Sequence, residues 1–211
     1  MCRLLWLRAE HPFELASHLH QFGALCRDSE EYQGHGWGCA WFDDGRWQFH
    51  HNIAPIWTDD LDQFGKATLF LAHARSAFRD EGVAVENNMP FTRDDKVFIF
   101  NGELSGVRIR EEGRIGAEKI FNYTKRFAHH GALAGLSKAI DVITKRSRYI
   151  RAMNMILATP ERSLLATLFN ENPDYFQMYR ASVDGLDVVC SEPYPLDTTW
   201  HPIENGTVTE L

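Results

Sequence analysis

The chain has 211 residues, of which 44% are hydrophobic and 24% charged, a composition that suits one globular domain over residues 1–211 and excludes a disordered or fibrous chain. Its net charge of −7, with no basic segment interleaved with aromatic residues, argues against nucleic acid as a partner. No apolar run approaches the roughly 20 residues of a membrane helix, and residues 1–10 are too short and too charged for a signal peptide, so we expect a cytoplasmic protein without a membrane partner.

The first part of the chain predicts a strand, a helix and a hairpin in that order. Residues 2–7 are apolar enough for a short buried strand. Residues 12–25 carry leucine and phenylalanine at helical spacing, and Pro12 suits the first turn of a helix. Residues 36–50 contain two apolar runs on either side of Asp43-Asp44-Gly45-Arg46, a pattern typical of a β-hairpin.

The rest of the chain predicts strands, then two helices, then strands again. Buried strands are expected at residues 68–72 and 96–100, and helical periodicity begins at Gly116 and is interrupted at Gly131. Further strands are expected at residues 154–159, 163–169, 176–180 and 186–190. Runs of strands on both sides of a helical pair favour an α+β fold with two antiparallel sheets between helices, a four-layer αββα sandwich. An α+β sandwich with a single sheet is the alternative.

Neither the cysteines nor the histidines have the spacing of a metal site. The cysteines are Cys2, Cys26, Cys39 and Cys190. We expect no disulfide framework in a cytoplasmic protein, and we expect Cys39 and Cys190 to be inert core thiols because they lie in apolar stretches. The adjacent histidine pairs are His50-His51 and His129-His130. Adjacent side chains diverge on a strand or a helix, so we expect neither a metal nor another cofactor.

Cys2 is a candidate nucleophile because it follows Met1 directly. Removal of Met1 would leave Cys2 with both a thiol and a free α-amine. An α-amine has an ordinary pKa of about 7.7–8.0 and can accept the thiol proton, directly or through one water. Nucleophile and base would then belong to one residue, although a Met-Cys start also occurs by chance.

Two polar clusters follow predicted strands and carry further candidates. Arg75, in the first cluster, can hold a carboxylate by two parallel hydrogen bonds. Asn101 and Gly102, in the second, can supply a side-chain amide and a backbone N–H to the oxyanion of a tetrahedral intermediate. The alternatives are a surface ion pair for Arg75 and an Asn-Gly turn, which is a common turn dipeptide.

Together these motifs resemble the class II glutamine amidotransferases, which are N-terminal-nucleophile hydrolases, and in particular their single-domain members such as the ergothioneine-pathway hydrolase. The motifs are Cys2, Gly36-Trp37-Gly38, His73-Ala74-Arg75, Asn87-Asn88-Met89-Pro90-Phe91, residues 98–104 and Ser191-Glu192-Pro193. The resemblance implies the αββα fold, Cys2 as nucleophile and, through its α-amine, as base. It also implies that Arg75 holds the substrate's α-carboxylate and that Asn101 and Gly102 form the oxyanion hole.

The chain also departs from that family in the expected substrate pocket. The pocket residues implied by the resemblance are Trp37, His73, Arg75, Phe78 and Gly116. Gly116 stands where the family has an aspartate that pairs with the α-ammonium of glutamine, and Phe78 stands where a threonine or serine is usual. Met89 and Phe100 replace typical histidines, and His35 replaces an acidic residue. The pocket is therefore expected to be unusually apolar and to disfavour free glutamine, unless Glu103 or Glu118 balances the ammonium.

Three functions remain open from the sequence. The leading one is an amidohydrolase that cleaves a glutamine-like or γ-glutamyl side-chain amide of a small molecule through an acyl-enzyme on Cys2. The second is a glutaminase subunit that delivers ammonia to a synthase on another chain. The third is a catalytically decayed member of the family that serves as a binding or assembly subunit, which the altered pocket positions would suit.

Overall fold

The computed structural model describes residues 1–77 and 82–211, and the predicted pocket residue Phe78 lies outside the described residues. The chain forms two compact units. Unit 1 comprises residues 1–90 and 178–203, and unit 2 comprises residues 91–177 and 204–211. The expectation of one domain over the whole chain stays a prediction.

Both units are built from antiparallel strands with helices connected to them. The strands are β1 (Arg3–Glu14), β2 (Trp37–Asp43), β3 (Arg46–Asn52), β4 (Lys66–Ala74), β5 (Phe91–Arg93), β6 (Lys96–Ser105), β7 (Tyr149–Ala158), β8 (Ser163–Ala166), β9 (Tyr179–Val183), β10 (Leu186–Cys190), β11 (His201–Pro202) and β12 (Val208–Glu210). The α-helices are α1 (Ala16–Arg27), α2 (Gly116–Thr124), α3 (Ala132–Arg146) and α4 (Pro173–Phe176). The 3₁₀ turns are Ile56–Thr58, Leu61–Gln63, Val85–Asn87 and Lys125–His130.

Unit 1 contains a seven-stranded sheet with the strand order β11-β9-β10-β1-β4-β2-β3. Helix α1 has apolar side chains every three or four positions, and it buries Leu19, Phe22 and Cys26. These side chains join one hydrophobic cluster with Leu5 of β1 and Phe70 of β4. The cluster thus fixes the two strands whose ends carry candidate site residues.

Unit 2 contains a five-stranded sheet with the strand order β12-β8-β7-β6-β5. Helix α2 buries Ile120 and Phe121, and the ring of Phe121 stacks on Phe98 of β6 with 4.8 Å between centroids. Helix α3 buries Leu136 and Ile143 on its apolar face. The predicted helical pair is confirmed, although the first helix ends at Thr124 and continues as a 3₁₀ turn.

The predicted hairpin is also confirmed, as β2 and β3. Asp44 and Gly45 connect the two strands, with φ angles of 48° and 73°. Positive φ at both positions is what a two-residue hairpin turn of type I′ requires. The strands expected at residues 68–72 and 96–100 are present as β4 and β6, and both are longer than expected.

The helix expected at residues 12–25 is wrong at its start, because β1 extends to Glu14 and α1 begins only at Ala16. Pro12 lies within β1, where the register with β4 shifts between Arg8 and Phe13. An irregular stretch of a strand tolerates a residue that has no N–H to donate to the ladder.

The strand expected at residues 176–180 is wrong in its first half. Pro173 begins the short helix α4, for which a proline in the first turn is favourable. The helix ends at Phe176, and β9 starts only at Tyr179. Phe176 is therefore buried from a helical turn, whereas Tyr179 does begin a strand. In the described parts of the chain, no helix is both long enough and apolar enough to cross a membrane.

Candidate active site

Three strand ends of unit 1 bring the Cys2 and Arg75 motifs to the same end of the sheet. Arg3, the first residue of β1, lies opposite Ala74, the last residue of β4. Ala74 in turn lies opposite Trp37, the first residue of β2. Cys2 directly precedes β1 and Arg75 directly follows β4, so the backbone alone makes them neighbours.

The start of β1 is held by the late Ser191-Glu192 motif. Arg3 Nη2 lies 3.0 Å from Glu192 Oε2, and Arg3 Nε donates to Ser29 Oγ at 3.1 Å. Leu4 N donates to Ser191 Oγ at 2.8 Å, while Ser191 N donates to Leu4 O at 3.0 Å. These bonds give the motif a structural purpose, which is to fix the backbone next to Cys2.

The connection between α1 and β2 holds Met1, the residue that precedes Cys2. The Met1 ammonium forms an ion pair with Glu31, and Gln33 Nε2 donates to Met1 O at 2.6 Å. Sequence reasoning missed both partners, because no motif links positions 31 and 33 to the first residue. In this form of the chain the α-amine belongs to Met1 and not to Cys2.

Cys2 differs from the other three cysteines in being only partly buried. Its Sγ donates a long hydrogen bond to Ser76 O at 3.7 Å. Burial raises the pKa of the Cys2 thiol, and the positive charges of the Met1 ammonium and Arg75 offset that rise only in part. The thiol therefore requires a base before it can react. The fully buried Cys190 has its pKa raised by burial to about 12, as expected of an inert core thiol.

Arg75 is a buried cation without an ion-pair partner among the described residues. Its backbone is fixed on both sides, because Arg75 N donates to Gly36 O at 2.9 Å and His35 N donates to Arg75 O at 3.1 Å. The residue is 5% exposed, and Nη1 has no hydrogen-bond partner in residues 1–77 and 82–211. Burial lowers the pKa of Arg75, and the charge that acts in the opposite direction is that of Cys2. A buried charge without a counter-ion is costly, so the guanidinium is suited to an anion from outside.

His73 and Trp37 lie near Arg75 in sequence or register, but both side chains are fully buried. His73 lies opposite Leu4 and Gly38 in the sheet. Trp37 Nε1 donates to Asp59 Oδ2 at 2.9 Å, and its ring is part of the hydrophobic cluster beside α1. Their predicted contacts with substrate stay predictions.

In unit 2, Asn101 and Gly102 lie inside β6 rather than in a turn. Asn101 is 1% exposed, and both Nδ2 and Oδ1 have no partner in the described part of the chain. A Cβ at position 102 would collide with the carbonyl of Ala152 and lie 2.7 Å from Phe100 Cζ, so only glycine fits. The turn alternative for this dipeptide is excluded, and an unsatisfied buried amide is left in a strand.

Asn154 provides the contrast, because it lies directly opposite Asn101 on β7. Its Nδ2 donates to Phe176 O at 2.8 Å, and its Oδ1 accepts from Thr167 Oγ1 at 2.8 Å. Leu168 N also donates to Asn154 Oδ1, at 3.3 Å. A satisfied buried amide stabilises a fold, whereas an unsatisfied one is a candidate for contact with a ligand or an ordered water.

Glu118 and Glu103, the carboxylates that could have balanced a substrate ammonium, are both engaged with arginine. Arg114 donates to Glu118 Oε2 from its backbone N at 2.7 Å and from Nε at 2.9 Å, and Arg93 Nη2 lies 2.7 Å from Oε1. The hydrogen bonds from Arg114 above all lower the pKa of Glu118 to about 2. Glu103 lies 3.4 Å from Arg151 Nη1. The role considered for them as ammonium partners is therefore poorly supported.

Gly116, the first residue of α2, leaves room for a side chain. A Cβ at this position would meet no atom within 4 Å. Its φ is not among the positive φ angles of the described glycines. Position 116 can therefore accept the aspartate that the resemblance leads one to expect.

No protein-family model matches the sequence, and the search of curated proteins gave no match. Solved structures do match. Glutamine phosphoribosylpyrophosphate amidotransferase from B. subtilis has a TM-score of 0.71 at 15% identity, over 100% of this chain and 49% of that one. The present chain thus spans about half the length of that enzyme.

Two shorter proteins match along nearly their whole length. A glutamine aminotransferase class-II domain protein from Silicibacter pomeroyi has a TM-score of 0.65 at 16% identity, over 100% of this chain and 98% of that one. A predicted glutamine amidotransferase from Pseudomonas aeruginosa has a TM-score of 0.60 at 17% identity, over 99% of this chain and 96% of that one. The chain has the fold of class II glutamine amidotransferase domains, and the α+β fold expected from the sequence, with two antiparallel sheets, is confirmed.

Proposed function

We propose that the protein is a thiol amidohydrolase that cleaves the side-chain amide of a small glutamine-like substrate through an acyl-enzyme on Cys2. The observation that carries the proposal is Arg75 Nη1, which has no partner in residues 1–77 and 82–211 and belongs to a buried cation beside Cys2, the partly exposed thiol. A carboxylate of the substrate would provide the missing counter-ion by charge-assisted hydrogen bonds. That contact would hold the substrate at the end of the sheet where Cys2 lies.

Before the reaction, a methionine aminopeptidase hydrolyses the Met1–Cys2 peptide bond, which gives Cys2 the free α-amine. The amine takes the thiol proton, and the thiolate attacks the amide carbon to form a tetrahedral oxyanion. Asn101 Nδ2 and the backbone N–H of Gly102 are assigned the role of donors to that oxyanion. The C–N bond then breaks, ammonia leaves with the proton held by the α-amine, and a thioester remains on Cys2. Water attacks the thioester with the same amine as base, and the acid is released.

A second function is favoured by one of the structural similarities. The B. subtilis amidotransferase is about twice as long as the region that matches this chain. A glutaminase unit of this kind could act with a synthase on another chain and deliver ammonia to it. In that case hydrolysis by the isolated chain would be slow and would rise when the synthase is added.

The test compares ammonia release by the wild type, Cys2→Ala and Cys2→Ser, each shown by intact mass to lack Met1. All three second residues are small, so removal of Met1 is expected in each. We expect Cys2→Ala to be inactive and Cys2→Ser to keep only a trace of activity, with unchanged thermal unfolding because a terminal thiol fills little volume. Wild-type rates from Cys2→Ala would contradict the proposal. A wild type that binds substrate analogues but hydrolyses none of them would favour the decayed binding subunit.

A further inference from the structure

Two asparagines near Arg75 have side-chain oxygens that nothing in the function so far uses. Asn88 is 2% exposed, and its Nδ2 donates to Asn52 O at 2.9 Å. Asn87 Nδ2 donates to Gly82 O at 2.9 Å. Because a backbone carbonyl fixes the NH₂ end of each amide, the acceptor end is the one left over. Both Oδ1 atoms are buried and have no partner within the residues the structure describes.

The Asn87 amide and the Arg75 guanidinium border the same space, and the Asn88 amide lies beside Gly36, which accepts a hydrogen bond from the Arg75 backbone. A methyl group on Gly82 would lie 3.5 Å from Asn87 Nδ2 and 3.8 Å from Arg75 Nη2, so both side chains border the space that Gly82 leaves open. Gly36, whose carbonyl accepts from Arg75 N, has a φ of 101°, and a Cβ there would collide with the side-chain amide of Asn88. Gly36 thus has no room for a side chain, and at Gly82 the φ of 63° favours glycine although a Cβ would make only ordinary contacts.

The three side chains form a defined recognition set, a cation with two neutral acceptors. The cation suits a carboxylate, and each neutral oxygen suits an N–H group. A buried ammonium would require a negative charge in addition, and Glu103 and Glu118 are already paired with arginines. An acylated amine carries an N–H but no charge, so it can be buried against an amide oxygen at much lower cost.

We infer that Arg75, Asn87 and Asn88 recognise the α-carbon end of an N-acylated glutamine, such as an N-acylglutamine or the C-terminal glutamine of a peptide. Arg75 binds the α-carboxylate, and the asparagine oxygens accept the N–H of the acylated amine. This inference rests on the proposed function, because it names the substrate class of the same site. It also explains how the chain can lack an aspartate at position 116.

The test measures binding without chemistry, by calorimetry on protein that lacks Met1 and carries Cys2→Ala. The ligands are N-acetyl-L-glutamine, L-glutamine and glutaramate, which has the carboxylate and the side-chain amide but no amine. We expect N-acetylglutamine to bind most tightly and free glutamine most weakly. Adding Asn88→Leu should weaken N-acetylglutamine about tenfold, the value of one hydrogen bond near 1.4 kcal/mol, and change glutaramate by less than about twofold.

Asn87→Leu provides the second variant, because Asn87 is only half-buried and should tolerate the change if Asn88→Leu fails to fold. An equal loss for N-acetylglutamine and glutaramate in both variants would assign the asparagines a structural role and overturn the inference. Tighter binding of free glutamine than of N-acetylglutamine would overturn it as well, and Glu31→Gln would then test whether Glu31 binds the ammonium. Because this assay needs no turnover, its failure is distinct from failure of the wild type to release ammonia.

Discussion

Arg75 in unit 1 and Glu118 in unit 2 are both charged and almost fully buried, but their surroundings differ. Glu118 is 3% exposed and accepts hydrogen bonds from Arg93 and Arg114, which lower its pKa to about 2. Arg75 is 5% exposed and has no ion-pair partner in the described ranges. The first charge is neutralised inside the fold, and the second is not. The comparison teaches that burial alone does not single out a charge for a functional role, and that the missing partner is what makes Arg75 the candidate.

The same contrast separates two asparagines that lie opposite each other on β6 and β7. Asn154 has partners for both ends of its amide, and Asn101 has none in the described part of the molecule. Because side chains of directly opposed residues lie on the same face, the two amides experience similar burial. Their difference in hydrogen bonding therefore assigns Asn154 to the fold and leaves Asn101 as the candidate for a ligand contact.

The asparagine pair gives the largest expected difference between two otherwise similar substitutions. Asn101→Ala should lower kcat about 10²–10³-fold with a smaller effect on KM, because one oxyanion donor is lost. Asn154→Ala should instead destabilise the protein by about 1–3 kcal/mol, because Thr167 and Phe176 lose a buried partner. Steady-state kinetics and urea unfolding of both variants separate the two roles. Equal effects of the two substitutions on kcat and on stability would erase the contrast.

Glu118→Gln tests the first half of the charge comparison, which is that ionised Glu118 stabilises the fold. A fall in pKa from 4.5 to about 2 corresponds to about 3 kcal/mol of stability for this buried carboxylate. Because the folded pKa is depressed, this stability is present above about pH 4.5 and is lost as the pH falls towards about 2. Urea unfolding should therefore show the variant less stable than wild type by about 3 kcal/mol at pH 7 and by less than half as much at pH 3, with the two nearly equal only at about pH 2 and below. A difference that does not change with pH would mean that ionisation of Glu118 is not the cause.

Arg75→Ala tests the other half of the charge comparison, which is the proposal that Arg75 binds a carboxylate of the substrate. Its KM should rise about 10–100-fold for substrates with a free carboxylate, the range expected when a charge-assisted hydrogen bond is lost. Analogues in which that carboxylate is amidated should lose much less, and stability should hold or increase because an unpaired buried charge is removed. The same rise in KM for both classes of substrate would assign Arg75 a structural role.

Gly116→Asp gives the smallest expected change, a shift of several-fold in kcat/KM towards free glutamine. The wild type is expected to hydrolyse free glutamine weakly, because a buried ammonium would remain unpaired. The open space around position 116 means that the aspartate should cost little stability, which thermal unfolding checks. A wild type that already prefers free glutamine to N-blocked and deaminated analogues would show that another acidic residue supplies the contact.

The sequence predicted the parts of the fold that depend on local pattern. Hydrophobic periodicity located the hairpin, β4, β6 and the helical pair. It failed at Pro12, because the local signal of proline for a helix start was overridden by pairing of β1 with β4. The Asn101-Gly102 dipeptide also suggested a turn as an alternative, but there the pairing of β6 with β7 decides the conformation.

Candidate site residues could be named from the sequence, but their electrostatic surroundings could not. Nothing in the sequence around Glu118 indicates that Arg93, 25 positions earlier, is its partner. The contacts of Glu31 and Gln33 with Met1 could not be predicted either, because they depend on how the connection between α1 and β2 folds back onto the start of the chain. Only coordinates distinguish a satisfied buried charge from an open one.

The most direct test of the central claim is a mass measurement on Cys2. Protein that lacks Met1 would be mixed with a library of γ-glutamyl and N-acylated glutamine-type amides, quenched in acid and analysed intact and as peptides. The account predicts a transient adduct equal to the substrate minus ammonia on the peptide that contains Cys2, absent from Cys2→Ala. Release of ammonia without any adduct on Cys2, or with the adduct on another residue, would contradict it.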